Sequence, residues 1–284
     1  MSDRPYTVLS CATSVDGCLD DTSPRRLILS SPEDLDEVDA LRAASDAILV
    51  GAGTIRADDP RLLVRSPARI AARVARGLPG HPLRVTLTGS GALAPDARFF
   101  TGPGGPPLVY CGSSAVGPAA ARLSGAAVVL DAGEPPSLRA VLDHLSKRKI
   151  STLLLEGGAR LIADALSAGL VDELRLAVAP FFVGEAAAPR FALPEKYPHD
   201  ARAPMRLESV RRLADVVVSR YRLTDRERPP ATLATLRDID ANLCADTARP
   251  QYAGAPITVY CGGCWPCCGG TPYCGGWPYC GGVP

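Results

Sequence analysis

Residues Ile48 to Arg65, reading ILVGAGTIRADDPRLLVR, join an apolar run to a glycine turn and two adjacent carboxylates. Ile48, Leu49 and Val50 fit a strand buried on both faces, and Gly51 and Gly53 let the backbone turn sharply at its carboxyl end. Ligands of open α/β sheets collect at that end. Two readings stand side by side: a nucleotide-binding edge, or a tight connection in which Asp58, Asp59 and Pro60 form a turn by themselves. The segment is not a Rossmann fingerprint, because the third glycine is missing and no helix pattern follows it.

A second glycine junction lies at Leu153 to Leu161, LLLEGGARL, where a buried strand meets a helix start across Gly157 and Gly158. Free backbone N–H groups and the positive end of a helix dipole suit a phosphate there. A compact turn with an exposed Glu156 is the competing reading. Arg42 and Arg65 suit charge-assisted, bidentate hydrogen bonds to a phosphate, and Glu156 suits acceptance from amino or ring N–H groups. Taken singly, each arginine reads as a solvated surface residue. His81, His144 and His199 stand in polar or proline-rich stretches and read as solvated, so no rival catalytic set emerges. No deaminase zinc signature accompanies the glycine turns, and no residue is assigned to catalysis or to a metal.

The elements that must position these groups alternate between strand and helix. Thr7 to Ala12 reads as a strand, and Ser31-Pro32-Glu33-Asp34 is a helix start with an N-cap, a proline in the first turn and early acids. Leu35, Val38 and Leu41 give that helix its expected apolar face. Strands follow at Leu83 to Thr88, Pro107 to Cys111, Ala126 to Leu130 and Thr152 to Leu155. Ser137 caps a helix with Leu138, Val141, Leu142 and Leu145 at helical spacing, and Leu161 to Ala168 forms another that ends at Gly169. Leu174, Leu176 and Val178 alternate in a strand, and Met205 to Leu223 reads as a strand pair broken near Leu213 to Asp215. The pattern predicts an α/β architecture with a mainly parallel sheet and an antiparallel strand pair near its end.

The chain has 284 residues, 46% hydrophobic and 21% charged, with a formal net charge of +1. That balance offers no electrostatic footprint for nucleic acid or an anionic membrane. The start lacks a signal-peptide pattern and no apolar run approaches a membrane span, so a cytoplasmic protein is expected. Organisation is uneven: residues 1 to 224 carry the element pattern, and 225 to 250 read as a linker with a short helix at Leu233 to Leu243. Residues 251 to 284 form a Cys/Gly/Pro-rich tail with no Asp, Glu, Lys or Arg.

In the tail, Cys261, Cys264, Cys267, Cys268, Cys274 and Cys280 recur in a loose six-residue repeat, CGGCWPCCGGTPYCGGWPYCGGVP. Glycine and proline at this density predict disorder without a crosslink. The cysteine spacing fits thiolate binding of zinc or copper(I), disulfides, a segment modified or docked by an unknown partner, or a passive extension.

In this order and spacing, SCATSVDG (Ser10 to Gly17), ALRAASDAILVGAGTIRADDPRLLVR (Ala40 to Arg65), LRVTLTGSG (Leu83 to Gly91), LLLEGGARL and GLVDELRLAVAPFFVG (Gly169 to Gly184) resemble a known family. It is the reductase domain of riboflavin biosynthesis, found in bacterial deaminase-reductases and in stand-alone pyrimidine reductases, and the resemblance covers roughly Arg4 to Leu223. It implies a dihydrofolate-reductase-like three-layer fold and an NADPH-dependent oxidoreductase. The reaction implied is reduction of a ribosylamino-pyrimidine 5′-phosphate at C1′ to the ribitylamino form. By position, Ala12, Thr54, Asp58 and the turn from Gly158 to Asp164, with Gly157, Gly158, Ala159, Arg160 and Leu161 at its head, match cofactor contacts. Arg42, Leu62, Arg65 and Glu156 match substrate contacts, and a homodimer is implied.

Three departures bear on specificity: Ser10 stands where many members have lysine, Arg26 and Ile28 where some have serine and tryptophan, and Thr88-Gly89-Ser90 replaces an Asp-Ser-Arg-like stretch near the adenosine end. The changes at Ser10 and Arg26 permit a same-fold reductase of another small molecule in secondary metabolism, and the non-enzyme alternative is a non-catalytic nucleotide-binding scaffold that presents or regulates the cysteine tail.

Overall fold

The computed structural model describes residues 4–229. The short helix expected at Leu233 to Leu243 and the cysteine-rich tail lie outside the described residues. In chain order the strands are β1 (Tyr6–Thr13), β2 (Ala47–Gly51), β3 (Leu83–Leu87), β4 (Leu108–Cys111), β5 (Val128–Asp131), β6 (Thr152–Gly157), β7 (Glu173–Val178), β8 (Arg206–Leu213) and β9 (Val216–Arg222). The helices are α1 (Pro32–Ala44), α2 (Ala52–Asp58), α3 (Pro67–Ala75), α4 (Arg98–Thr101), α5 (Val116–Arg122), α6 (Leu138–Lys147) and α7 (Ala159–Ser167).

All nine strands form one sheet in the order β5-β4-β3-β2-β6-β1-β7-β9-β8. Pairing is parallel from β5 through β7, and β9 runs antiparallel to both β7 and β8. The central strands are apolar on both faces because helices cover both. Leu9, Leu49, Leu153 and Leu155 pack in one cluster with Val141 and Leu145 of α6 and Ile162 of α7. The alternate residues Val8, Ile48, Val50 and Leu154 pack in another with Leu41 of α1 and Ile55 of α2. The result is the expected α/β fold of three layers, with the antiparallel pair at one edge.

Local caps explain the helix starts. The Ser31 hydroxyl accepts from Asp34 N at 3.2 Å, with Pro32 in the first turn, and Ser137 accepts from Ala140 N at 3.3 Å. Both satisfy a backbone donor that the helix itself leaves open. The face of α1 differs from expectation: Leu41 is buried, but Leu35 and Val38 are only partly covered, while Asp34 and Asp39 are buried. Leu35 and Val38 border a cavity instead of the core. His144 is a further correction, since its Nδ1 lies 2.6 Å from the Tyr110 hydroxyl with the rings edge-on.

One buried carboxylate ties the sheet to both ends of the described chain. Asp172 takes two hydrogen bonds from Arg4, at 2.6 and 2.8 Å, and one from Thr7 N at 2.8 Å at the start of β1. It also accepts from Thr224 Oγ1 at 2.8 Å and Arg226 Nη1 at 2.9 Å beyond β9. Removing one partner of such a cluster leaves buried charge uncompensated. Asp172→Ala is therefore expected to lower stability by about 3–5 kcal/mol, seen as a lower urea midpoint at an unchanged slope.

Candidate active site

The site begins with an irregularity between β2 and β6. Leu49 pairs with Leu155 but Val50 pairs with Gly157, so Glu156 is the extra residue of a bulge. A bulge re-aims a side chain that regular pleating would direct elsewhere. The Glu156 carboxylate receives both arms of Arg42, Nε to Oε1 at 2.7 Å and Nη2 to Oε2 at 2.6 Å. Arg42 also donates to Leu63 O at 3.3 Å, tying the last turn of α1 to the loop beyond α2. The two side chains are only 13% and 11% exposed. Burial opposes the charge on Arg42, and Glu156 outweighs it, holding the guanidinium above its ordinary pKa.

The two glycine junctions meet in space. β2 and β6 are neighbours, and a Cβ built on Gly158 would lie 3.4 Å from Gly51 Cα and 3.4 Å from Thr54 Oγ1. Gly158 has φ 96° and Gly157 φ 149°, values that L side chains rarely adopt. Gly158 caps α7, whose first N–H groups have no acceptor within the helix. After Gly51 the chain enters α2 at once, contrary to the expectation that no helix follows; its seven residues are too few to show a helical period. Gly158→Ala is expected to lower stability by about 1–3 kcal/mol, measured by thermal melting, because alanine is strained at that φ.

On the α1 face, at the carboxyl ends of β1, β2 and β6, lies a cavity of about 550 Å³. Ala12, Arg42, Thr54, Asp58, Leu62, Arg65 and Glu156 all line it, although they come from four separate stretches of sequence. Gly157, Gly158, Ala159, Arg160 and Leu161 do not line it; they stand at the junction where Gly158 approaches Thr54. The loop between α2 and α3 makes one wall. Asp59 ends α2 in the left-handed region with φ 41° and its carboxylate accepts from Arg98 N at 2.6 Å, while Leu62 is buried at φ 53°. Asp39 fixes the far end of the loop by accepting from Arg65 N at 2.5 Å and Ser66 N at 3.1 Å.

Several lining residues carry no local motif that marks a site. Asp34 and Arg175 form an ion pair on the cavity floor, and Leu35 adds apolar surface beside them. The available signal was an acid in the first turn of α1 at a position that helical phase buries. Ser10 and Arg26, noted only as departures from a family pattern, also line the cavity. Cys11 lines it too, but burial pushes its thiol up to about 12, so it stays protonated at neutral pH and is a poor nucleophile.

Charge in the cavity is unevenly matched. Arg42 is paired with Glu156 and Arg175 with Asp34, whereas Arg26, Arg61, Arg65 and Arg98 form no salt bridge among the described residues. Against them stand Asp58 and Asp59, so the lining favours an anionic ligand. Arg56, on the outer side of α2, brings Nη1 to 3.5 Å from Ala92 O, beside the Thr88 to Ser90 loop.

Burial raises the Asp58 carboxyl above the ordinary aspartate value despite the opposing pull of Arg26. A carboxyl raised on folding costs nothing below its unfolded value, about 4, and weakens the fold as pH rises through the folded value. Asp58→Asn is accordingly expected to melt at a higher temperature than the parent at pH 7, with the gap closing as pH is lowered through the raised Asp58 pKa.

The model of the RibD C-terminal domain matches residues 5–219. The chain belongs to the RibD C-terminal domain family. Among relatives of this family, a 2,5-diamino-6-ribosylamino-4(3H)-pyrimidinone 5′-phosphate reductase of Archaeoglobus fulgidus is 38% identical over 182 residues, which are 64% of this chain and 83% of that protein. The riboflavin biosynthesis protein RibD of Chlamydia pneumoniae is 31% identical over 190 residues, 65% of this chain but 48% of that longer protein. The solved structure of Acinetobacter baumannii RibD superposes with a TM-score of 0.63 at 26% identity, covering 78% of this chain and 58% of its own. Among the described residues, no helix is long and apolar enough to cross a membrane.

Proposed function

We propose that this RibD C-terminal domain protein reduces a ribosylamino-pyrimidine 5′-phosphate to its ribitylamino form, with NADPH as the reductant. The observation that carries this reading is that Arg42, Thr54, Asp58, Leu62, Arg65 and Glu156 converge on one cavity. The name of the A. fulgidus relative, a reductase of such a phosphate, supports the substrate class.

When bound, a reduced nicotinamide supplies the hydride. The chain's own groups fit such a cofactor. Gly157 and Gly158 bring bare backbone up to Thr54 Oγ1, and the open N–H groups of Ala159, Arg160 and Leu161 at the start of α7 would hold a phosphate. Thr54 and Asp58 would hold polar parts of the same ligand from α2. Arg56 beside the Thr88 to Ser90 loop supports a 2′-phosphorylated cofactor, since it places a cation near a stretch without one.

On the substrate side, Arg65 carries an exposed guanidinium suited to the 5′-phosphate. Arg42 orients Glu156 so that its remaining lone pairs accept from pyrimidine N–H groups. Arg26 at the cavity favours a second reading, a same-fold reductase acting on a different anionic small molecule. A homodimer is the proposed assembly, for which the β8–β9 pair leaves Leu207, Val210 and Val217 exposed.

The decisive assay follows NADPH oxidation by the full-length chain with the riboflavin-pathway phosphate. Turnover is expected with that substrate, and Arg65→Ala is expected to raise KM at least about tenfold with a smaller effect on kcat, the pattern of a lost ground-state contact. Binding of NADPH without turnover would overturn the proposal.

A further inference from the structure

On the floor of the cavity, Asp34 and Arg175 are almost entirely removed from solvent, their side chains each 1% exposed. Both nevertheless line the cavity. Asp34 Oδ1 accepts from Arg175 Nη2, and the same arginine lies 3.4 Å from Glu37 Oε2. The pair is incomplete in hydrogen-bonding terms: among the described residues, Asp34 Oδ2 has no donor and Arg175 Nε has no acceptor. A buried charged group left with an open hydrogen-bonding position is unfavourable, and a pair kept only for stability would have both filled. Ser10 stands beside them, since it is the register partner of Arg175 between β1 and β7.

We propose that Asp34 and Arg175 bind a hydroxyl group of the substrate's sugar chain; this rests on the reductase reading above. An acceptor beside a donor fits a group that both donates and accepts. A phosphate is disfavoured by the Asp34 and Glu37 carboxylates, a carboxylate for the same reason, and an ammonium group would leave Arg175 Nε open. An alcohol offers one donor and one acceptor, the complement of Asp34 Oδ2 and Arg175 Nε. Placement agrees: Glu156 lies on β6 and Arg175 on β7, with β1 between them. At the usual strand spacing that is about 10 Å across the sheet. Along α1, Arg42 and Asp34 are eight residues apart, about 12 Å. A pyrimidine held at Glu156 therefore leaves its sugar chain within reach of Asp34.

The test has two arms. Calorimetric titration of the full-length protein with ribitol 5-phosphate and with pentyl phosphate compares ligands that share the phosphate and differ in hydroxyls. The parent is expected to prefer ribitol 5-phosphate by about tenfold or more, the factor carried by one hydrogen bond to a charged group. The double variant D34L/R175M replaces the ion pair by apolar groups of similar volume, a change that buried pairs often tolerate. It is expected to stay folded but to melt below the parent, because Glu37 loses Arg175 and keeps Arg220, to lose most of that preference and to raise KM for the pyrimidine substrate. Asp34→Asn, which keeps the shape, is expected to raise KM in the same direction with NADPH affinity unchanged. No preference in the parent, or variants that keep the parent's preference and KM, would overturn the hydroxyl site. Turnover by the parent with unaltered variants rejects this inference alone; ribitol preference without turnover rejects the reductase reading and keeps the site.

Discussion

Two backbones meet at Gly51 and Gly158, where a Cβ on either glycine would lie within 3.4–3.7 Å of the other's Cα, and the rest of the site depends on that approach. It is made possible by the sheet order, which sets β2 beside β6 although about a hundred residues separate them. Because the strands run parallel, both junctions emerge at the same end, and their following helices start from one place. The bulge at Glu156 sits two residues before Gly158. Extra backbone there turns a carboxylate toward α1, where Arg42 holds it. A regular ladder would leave the two glycine turns adjacent but would aim Glu156 differently.

The second organising principle is neutralisation of buried charge. From the cavity floor an alternating series runs from Asp34 to Arg175 to Glu37, then through Arg220 to Glu173 and Arg228. Burial opposes ionisation of Glu37, but Arg175 and Arg220 outweigh it and hold its carboxyl below the ordinary value. Such series are costly to break at one member. They let a polar floor lie next to an apolar core, leaving the loop arginines around the opening to set the sign of what enters.

Much of this was legible in the residues. The strands at Thr7, Leu83 and Thr152, the caps at Ser31 and Ser137, and the broken strand pair near Ala214 all follow from short-range patterns, and each has its counterpart in the fold. What could not be read was pairing between distant elements. Nothing local in Glu156 announces a bulge, because the bulge exists only relative to β2. Asp34 reads as a favourable acid in a helix start, which it is; its contact with Arg175 spans 141 residues. Helix α2 is illegible because seven residues do not complete an amphipathic pattern, and Leu35 and Val38 read as an ordinary apolar face because a cavity wall and a core share the same apolar spacing.

The segment just beyond β9 looks, by composition, like the beginning of a linker. Yet Arg226 bonds Asp172, and Arg228, itself buried, lies 3.4 Å from Glu173 with its guanidinium 5.7 Å from the centre of the Tyr6 ring. The charged contacts of the domain therefore continue past its last hydrogen-bonded strand. Shortening the chain at Leu223 would strip Arg226 from Asp172, just before β7, and Arg228 from Glu173, its first residue, and the second of these ends the series that leads back to the cavity floor. A boundary drawn after residue 229 would preserve the electrostatic unit, so the choice of end point for a shortened protein is itself a choice about the site.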